Sequence, residues 1–316
     1  MDLGTDDQSS HKIAKPDPSR RAFVALLIIA SLAVLTLVLA GALLMGRSGG
    51  SGKSAQSGSL QISGSESMRA VVTACAEDFM TKFTEADVIV KGGGSGEGIS
   101  ALLHGMVEIG MTSRGLTEKE TAYAADNNIE LTETALALDG IALIVHPSNG
   151  IGELDLAQLR MIYTGELRSW RNITGMGGNI NVIGRASGSG TAAFFAERVL
   201  GGAEAIATQK LASNEAIVAE VASRPEAIGY TGLGAVRNAE DQVKILAIRA
   251  EPGSAAVAPK PDALQSRAYP LARTLYLLNA KPQSDIAKAF LAHCIGPDGQ
   301  SLIQKAGYLA PKIAIQ

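Results

Sequence analysis

Cysteine is nearly missing from this chain: Cys75 and Cys294 are the only two in 316 residues. That is too few for a disulfide scaffold, and their separation is not that of a metal site. Aromatic residues are scarce at 4%, with a single tryptophan, Trp170. Neither sign of charge dominates, since 28 Lys and Arg stand against 31 Asp and Glu for a formal -3. The basic residues are dispersed, so there is no electrostatic case for nucleic acid. The four histidines (His11, His104, His146 and His293) stand singly, which gives no cluster with metal-ligand spacing. What the chain has in abundance is glycine, 35 residues. Together with the few aromatics, this suits an α/β protein with many short strand-to-helix turns. A chain of this length can bury a full core and is expected to hold two lobes.

Residues 1–21 are polar and end on Arg20 and Arg21, after which Ala22 to Met45 carries no charge. As a helix this run would span ~36 Å, against a hydrocarbon core of about 30 Å. Lys12, Lys15, Arg20 and Arg21 precede it, and Arg47 and Lys53 follow. The bias orients the N-terminus to the cytoplasm and the body to the far side. A cleaved signal peptide would have a shorter apolar region, about 7–15 residues. Leu39-Ala40-Gly41 opens like a lipoprotein box, but Ala42 stands where the lipidated cysteine belongs. The expectation is therefore a cytoplasmic segment (1–21), one uncleaved transmembrane helix (22–45) and a Gly/Ser tether (46–59). Gly52-Lys53-Ser54 in the tether looks like the tail of a phosphate-binding P-loop. Arg47 occupies the place of its leading glycine and no strand precedes it, so no nucleotide site is expected there.

From Leu60 onward, short apolar strands alternate with amphipathic helices, an α/β pattern. Leu60-Gln61-Ile62, Val88-Ile89-Val90 and Glu108 to Met111 read as strands, and Met68 to Phe83, Ile99 to His104 and a segment from Thr117 as helices. Asp139 to Val145 reads as an apolar strand, Asp155 to Tyr163 and Asn214 to Ser223 as helices, and Ala250 to Pro261 as a surface loop. Tyr269 to Leu278 is the last strand, before helices at Ser284 to Cys294 and Gly299 to Ala306. Trp170 reads as core packing. Each cysteine falls on the apolar stripe of a helix, which makes a buried thiol of it; a bridge is open to the pair only if both helices share a lobe in an oxidising compartment.

Four strand-to-helix turns are rich in Gly and Ser: Ser63 to Ser67, Lys91 to Gly98, Thr112 to Leu116, and Gly184 to Thr191. A turn of this kind sits at a helix N-terminus, where unpaired N–H groups and the helix dipole favour an anion. Hydroxyls of Ser65, Ser67, Ser95, Thr112, Ser113, Ser189 and Thr191 add donors with no formal charge. Arg185 adds a planar cation suited to a tetrahedral oxyanion. Other chemistries fit less well. Gly188-Ser189-Gly190-Thr191-Ala192-Ala193 matches a relaxed dinucleotide fingerprint, but the required acidic residue after a following strand is missing. Neither Ser95 nor Ser189 stands in a G-x-S-x-G elbow, because Glu97 and Ser187 replace one glycine in each.

These motifs, in this order, resemble the phosphate-binding proteins of bacterial phosphate ABC importers, within the type II periplasmic-binding-protein fold. The resemblance runs from Leu60 to Tyr308. It rests on Gly64-Ser65, Gly92 to Gly96, Ile109 to Arg114, Ile162 to Gly165 through Trp170, Arg185 with Gly188 to Thr191, and Ala227 to Tyr230. It implies a two-lobed α/β fold, with 60–138 and 276–316 as the first lobe and 139–275 as the second, closing on one phosphate; Cys75 and Cys294 would share the first lobe. The implied ligands are Ser65, Ser67, Ser95, Ser113, Arg114, Arg185, Ser189, Gly190 and Thr191. Glu66 stands where the family commonly has Ser or Thr. Ser113 lies near the position of an aspartate that accepts a hydrogen from protonated phosphate, and Ser187 replaces another common aspartate. Glu66 is read as the displaced proton acceptor, against the alternative of a solvated first-turn glutamate. The implied role is a monomeric extracytoplasmic binder, not an enzyme and without a cofactor, that delivers inorganic phosphate to an ABC permease. A membrane-tethered oxyanion sensor or adhesion module is the alternative.

Overall fold

Leu60 and Ile62, two residues apart, point to one face of a strand, and both are buried. The computed structural model to which they belong describes residues 57–311 apart from 176, 238 and 240. The expected cytoplasmic segment, the transmembrane helix and most of the tether lie outside the described residues. Among those described, no helix is long and apolar enough to cross a membrane.

The chain runs from β1 (Gly58–Gly64) to α1 (Glu66–Lys82), β2 (Ala86–Lys91), α2 (Ser95–Leu103), β3 (Ile109–Thr112), α3 (Glu118–Asp126) and β4 (Leu131–Val145). Helix α1 buries Met68, Val71, Val72, Cys75 and Phe79, the stripe its sequence spacing requires. Helix α3 starts on a reciprocal capping box between Thr117 and Glu120. The path continues through β5 (Glu153–Asp155), α4 (Leu156–Tyr163), α5 (Arg171–Thr174), β6 (Asn181–Arg185), α6 (Gly190–Leu200), β7 (Gln209–Leu211), α7 (Asn214–Ala222) and β8 (Ala227–Gly232). It ends with α8 (Leu233–Val236), β9 (Lys244–Ile245), β10 (Ala247–Arg249), α9 (Pro261–Gln265), β11 (Ala272–Ala280), α10 (Asp285–Ile295) and α11 (Pro297–Lys305).

The main sheet has the order β2-β1-β3-β11-β4-β8-β6-β7, with β9 also on β4. Strand β1 is parallel to β2 and β3, whereas β11 is antiparallel to both β3 and β4. Strand β4 changes partner along its length: Leu131 to Gly140 pairs with β11, and Ile141 to Val145 with β8. One fifteen-residue strand thus carries the ladder from one lobe into the other. The sequence indicated only its second half. Residues 131–135 are only partly buried, and Glu133, Ala135 and Ala137 are weak strand formers, so the conformation of this half is set by β11, far away in sequence.

Each lobe has its own aromatic centre. In the first, Phe79 and Phe290 meet edge-on with ring centroids 5.5 Å apart, among Leu60, Ile62, Met111, Leu275 and Leu277. In the second, Phe195 stacks on Tyr230 at 4.2 Å and Tyr163 meets both. Trp170 is core, as expected, with its indole N–H donating to the carbonyl of Glu226 at 2.9 Å. Cys75 and Cys294 are free thiols buried in the first core.

Helix α2 lies so close to β1 that a side chain at Gly98 has no space. A Cβ there would stand 2.5 Å from both the Gly64 Cα and the Ser63 carbonyl oxygen. We expect Gly98→Ala to destabilise the protein by about 1–3 kcal/mol. Gly115→Ala, where nothing lies within 4 Å, should stay within about 0.5 kcal/mol. Urea unfolding midpoints of the two variants check this, and equal midpoints would contradict the packing described.

Candidate anion-binding site

Strands β1 and β2 end in the turns at Gly64-Ser65 and Gly92 to Gly94, and β6 ends in the turn from Arg185 to Ser189. The carboxyl ends of strands are where open α/β sheets hold ligands. The turns meet backbone to backbone, with the Gly96 N–H donating to the Gly188 carbonyl at 3.3 Å. A Cβ on Gly94, whose φ is 116°, would lie 2.5 Å from that carbonyl, so only glycine allows this approach.

Between the turns lies a cavity of ≈60 Å³, lined by Ser65, Glu66, Ser67, Arg185, Ser189, Gly190 and Thr191, among others. One water needs roughly 10–15 Å³, so the space suits an ion of a few heavy atoms and not a sugar or nucleotide. Two helix N-termini open onto it. Helix α1 begins after Ser65, whose side chain makes no capping bond, and places Ser67 in its first turn. Helix α6 begins after Ser189, whose hydroxyl accepts from the Ala192 N–H at 3.2 Å, and places Gly190 and Thr191 in its first turn. Unpaired first-turn N–H groups and both dipoles therefore favour negative charge here.

Arg185 decides the sign of the site. Its side chain is only 4% exposed, yet its guanidinium donates only to neutral oxygens: Asn214 Oδ1, the Ala212 carbonyl at 2.8 Å and the Leu211 carbonyl at 3.4 Å. Burial pushes its pKa down to about 10. A buried cation without a counter-ion is unfavourable, and an anion in the adjoining cavity removes that penalty.

Seven of the ten residues singled out in the sequence line this cavity, Glu66 included. Ser95 and Ser113 stand directly behind it. Their hydroxyls are 3.2 Å apart, the Ser113 N–H donates to Ser95 Oγ at 3.0 Å, and a Cβ on Gly190 would collide with both oxygens. Arg114 is not brought in. It makes a two-pronged ion pair with Glu120, at 2.8 and 2.7 Å, because the capping box of α3 holds that carboxylate next to it. Glu66 faces the cavity, but Oε2 accepts from Arg69 at 3.0 Å and Oε1 from the Gly93 N–H at 3.0 Å. Its carboxylate clasps the 92–94 loop and keeps further lone pairs for a ligand.

The sequence reading missed a layer behind the wall. Asn214, 3% exposed, links Arg185 to Ser67 by donating its Nδ2 to Ser67 Oγ at 3.1 Å. Arg273 on β11 and Asp139 on β4 face each other across the ladder and form a buried ion pair at 2.6 Å. A signal existed: each is a lone charge in an apolar strand, and a charge there needs a partner. Among the described residues, no group of three or more His, Cys, Asp or Glu could hold a metal ion.

A family model described as a PBP superfamily domain matches residues 49–297. The phosphate-binding protein PstS of Bacillus subtilis (strain 168) is 31% identical over 259 residues, covering 82% of this chain and 82% of that protein. PstS of Staphylococcus aureus (strain USA300) is 29% identical over 271 residues, covering 84% and 82%. Among solved structures, a phosphate-bound Clostridium perfringens protein assigned as a phosphate ABC transporter substrate-binding protein superposes with a TM-score of 0.72 at 30% identity. It covers 81% of this chain and 100% of that one. An ABC-type phosphate transport receptor from Vibrio cholerae gives 0.67 at 30% identity, covering 80% and 100%. With its two-lobed α/β fold and its anion-ready cleft, the chain belongs to the PBP superfamily and is a homologue of the PstS phosphate-binding proteins.

Proposed function

We propose that this protein captures inorganic phosphate outside the cytoplasm and delivers it to an ABC permease. One observation carries the reading: Arg185 is buried against neutral oxygens alone, beside a cavity of a few atoms walled by hydroxyls and two helix N-termini. Phosphate supplies the missing counter-charge and enough oxygens for Ser65, Ser67, Ser189, Gly190, Thr191 and Arg185 to donate to. Ser95 and Ser113 buttress Gly190 from behind. The kinship with PstS proteins and with phosphate transport receptors supports the same ligand and the same kind of partner.

In this reading the two lobes, 60–138 with 276–316 and 139–275, close on the anion. The change of partner along β4 at Gly140 supports that division, and closure of lobes about short hinge segments is the usual motion of such binders. The uncharged run 22–45 would anchor the protein in the membrane and keep the capture domain near its permease, which raises effective concentration. Glu66, the carboxylate lining the cavity, is the proton acceptor that separates phosphate from sulfate.

Three outcomes test this. Removing one partner of a buried charge pair costs about 3–5 kcal/mol, so Arg185→Ala should weaken phosphate binding at least about 100-fold and remove the phosphate-induced rise in melting temperature; an undiminished rise would contradict the assignment. Affinity should also fall as pH rises through about 10. The sign follows from linkage: the empty site loses the Arg185 proton there, the bound anion raises that pKa, and binding above it must take a proton up. Titration calorimetry at rising pH reads this as a decline approaching tenfold per pH unit, and a flat profile would mean that Arg185 keeps its proton over that range. Glu66→Gln should bring sulfate into competition with phosphate. If sulfate remains rejected in competition calorimetry, Glu66 is only a clasp for the 92–94 loop.

A further inference from the structure

Resting on the anion-binding reading above, one more residue can be given a role. We infer that Arg273, held by Asp139 on the crossing strands, is a positioning residue. It fixes the direction of the Ser67 and Thr191 hydroxyl protons so that this wall of the cavity presents donors only.

The argument is one of donor and acceptor counting. A guanidinium can only donate, and a hydroxyl has one proton to give and two lone pairs to fill. Arg273 donates from Nη1 to Thr191 Oγ1 at 2.9 Å and from Nη2 to Ser67 Oγ at 3.1 Å. Asn214 is oriented by Arg185, which can only face its Oδ1, so its Nδ2 must donate to Ser67 Oγ, 3.1 Å away. Both lone pairs of Ser67 are then filled, and its proton is left for Thr191 Oγ1 at 3.1 Å. Thr191 now accepts from Arg273 and from Ser67, so its own proton is turned to the cavity it lines. When a ligand oxygen arrives, the Ser67 proton is free to follow. Two arginines thus polarise a chain of neutral groups in one direction, across residues from α1, α6 and α7.

The grip on Arg273 supports a role beyond an ion pair. Asp139 accepts both Nε, at 2.9 Å, and Nη2, at 2.6 Å, on the single oxygen Oδ2. Its Oδ1 is buried with no hydrogen-bond partner. A side-by-side pair using both carboxylate oxygens is the stronger arrangement. The one seen here engages only Nε and one Nη2 hydrogen, and the hydrogens on the far side of the guanidinium go to Thr191 from Nη1 and to Ser67 from Nη2. Arg273 is 2% exposed and does not line the cavity, so it acts through those two hydroxyls.

The test uses Asp139→Leu combined with Arg273→Met, because apolar replacement of a whole buried ion pair is often neutral for stability whereas removal of one partner is not. The double variant should melt near the unaltered protein without ligand, yet bind phosphate about 10- to 100-fold more weakly by calorimetry. Thr191→Val should cost about tenfold or more in the unaltered protein and about threefold or less in the double variant. Phosphate affinity within about threefold of the unaltered protein, or an equal Thr191→Val effect in both backgrounds, would overturn the role. Should the double variant not melt cooperatively, Arg273→Lys, which keeps the charge beside Asp139 but cannot reach both hydroxyls, decides instead: unchanged affinity overturns the role, and a loss of about tenfold or more supports it. Phosphate binding by the unaltered protein is measured first. No melting shift there overturns both this role and the function proposed above, whereas a shift kept in full by the double variant overturns the role of Arg273 alone.

Discussion

A positive charge buried among neutral oxygens is the constraint on which the cleft depends. Arg185 ends strand β6 with three of its guanidinium donors on Asn214 and two backbone carbonyls, and no carboxylate among its hydrogen-bond partners. Backbone carbonyls and an amide satisfy its hydrogen bonds but leave its charge standing. Everything around the cavity follows from that imbalance. Hydroxyls and amide N–H groups point inward, helices α1 and α6 turn their positive ends to the same space, and neither Glu66 nor Asp139 is hydrogen-bonded to Arg185. Glu66 is clasped to Arg69 and the 92–94 loop, and Asp139 is locked on Arg273.

Neutral donors do this better than a cluster of lysines would. Hydroxyls and main-chain N–H groups have positions fixed by the backbone and add no mutual repulsion when the site is empty. They act as preorganised dipoles, which lose little on meeting an anion. Their disadvantage is that a hydroxyl can accept as readily as donate. The layer of Asn214 and Arg273 behind Ser67 and Thr191 answers that weakness by occupying the lone pairs.

The sequence shows most of the near-range physics. The turn from Arg185 to Thr191 declares itself because strand, glycines and helix start lie within a few residues, and the buried stripe of α1 because its spacing is helical. What it hides is set by pairing across long separations. Residues 131–138 become strand because β11 lies beside them, and Asp139 meets Arg273 across 134 positions of chain. Asn214 reads as an ordinary helix start after its Ser213 cap until the fold sets it against Ser67. Arg114 shows a local pairing of the opposite kind. A cation beside a Ser-rich turn looks like a ligand, but Glu120, six residues on, is held in its capping box and claims it. That competitor is local, so the Thr117 to Glu120 box was readable as a warning.

The order of strands also dictates when the protein can become itself. The first lobe opens the described chain with β1, α1, β2, α2 and β3, but the partner of β3 on its open edge is β11, residues Ala272–Ala280. As the chain grows from its N-terminus, that edge waits for more than half of the described residues to be made. Until then the lobe is a three-stranded parallel sheet with one bare flank and a core lacking Phe290, Leu275 and Leu277. Such late, long-range closure slows folding and keeps an apolar sheet edge exposed in the nascent chain. Residues that complete the core are therefore also the ones that end the protein's most vulnerable interval, and the second lobe, inserted between β4 and β11, has to be synthesised inside that wait.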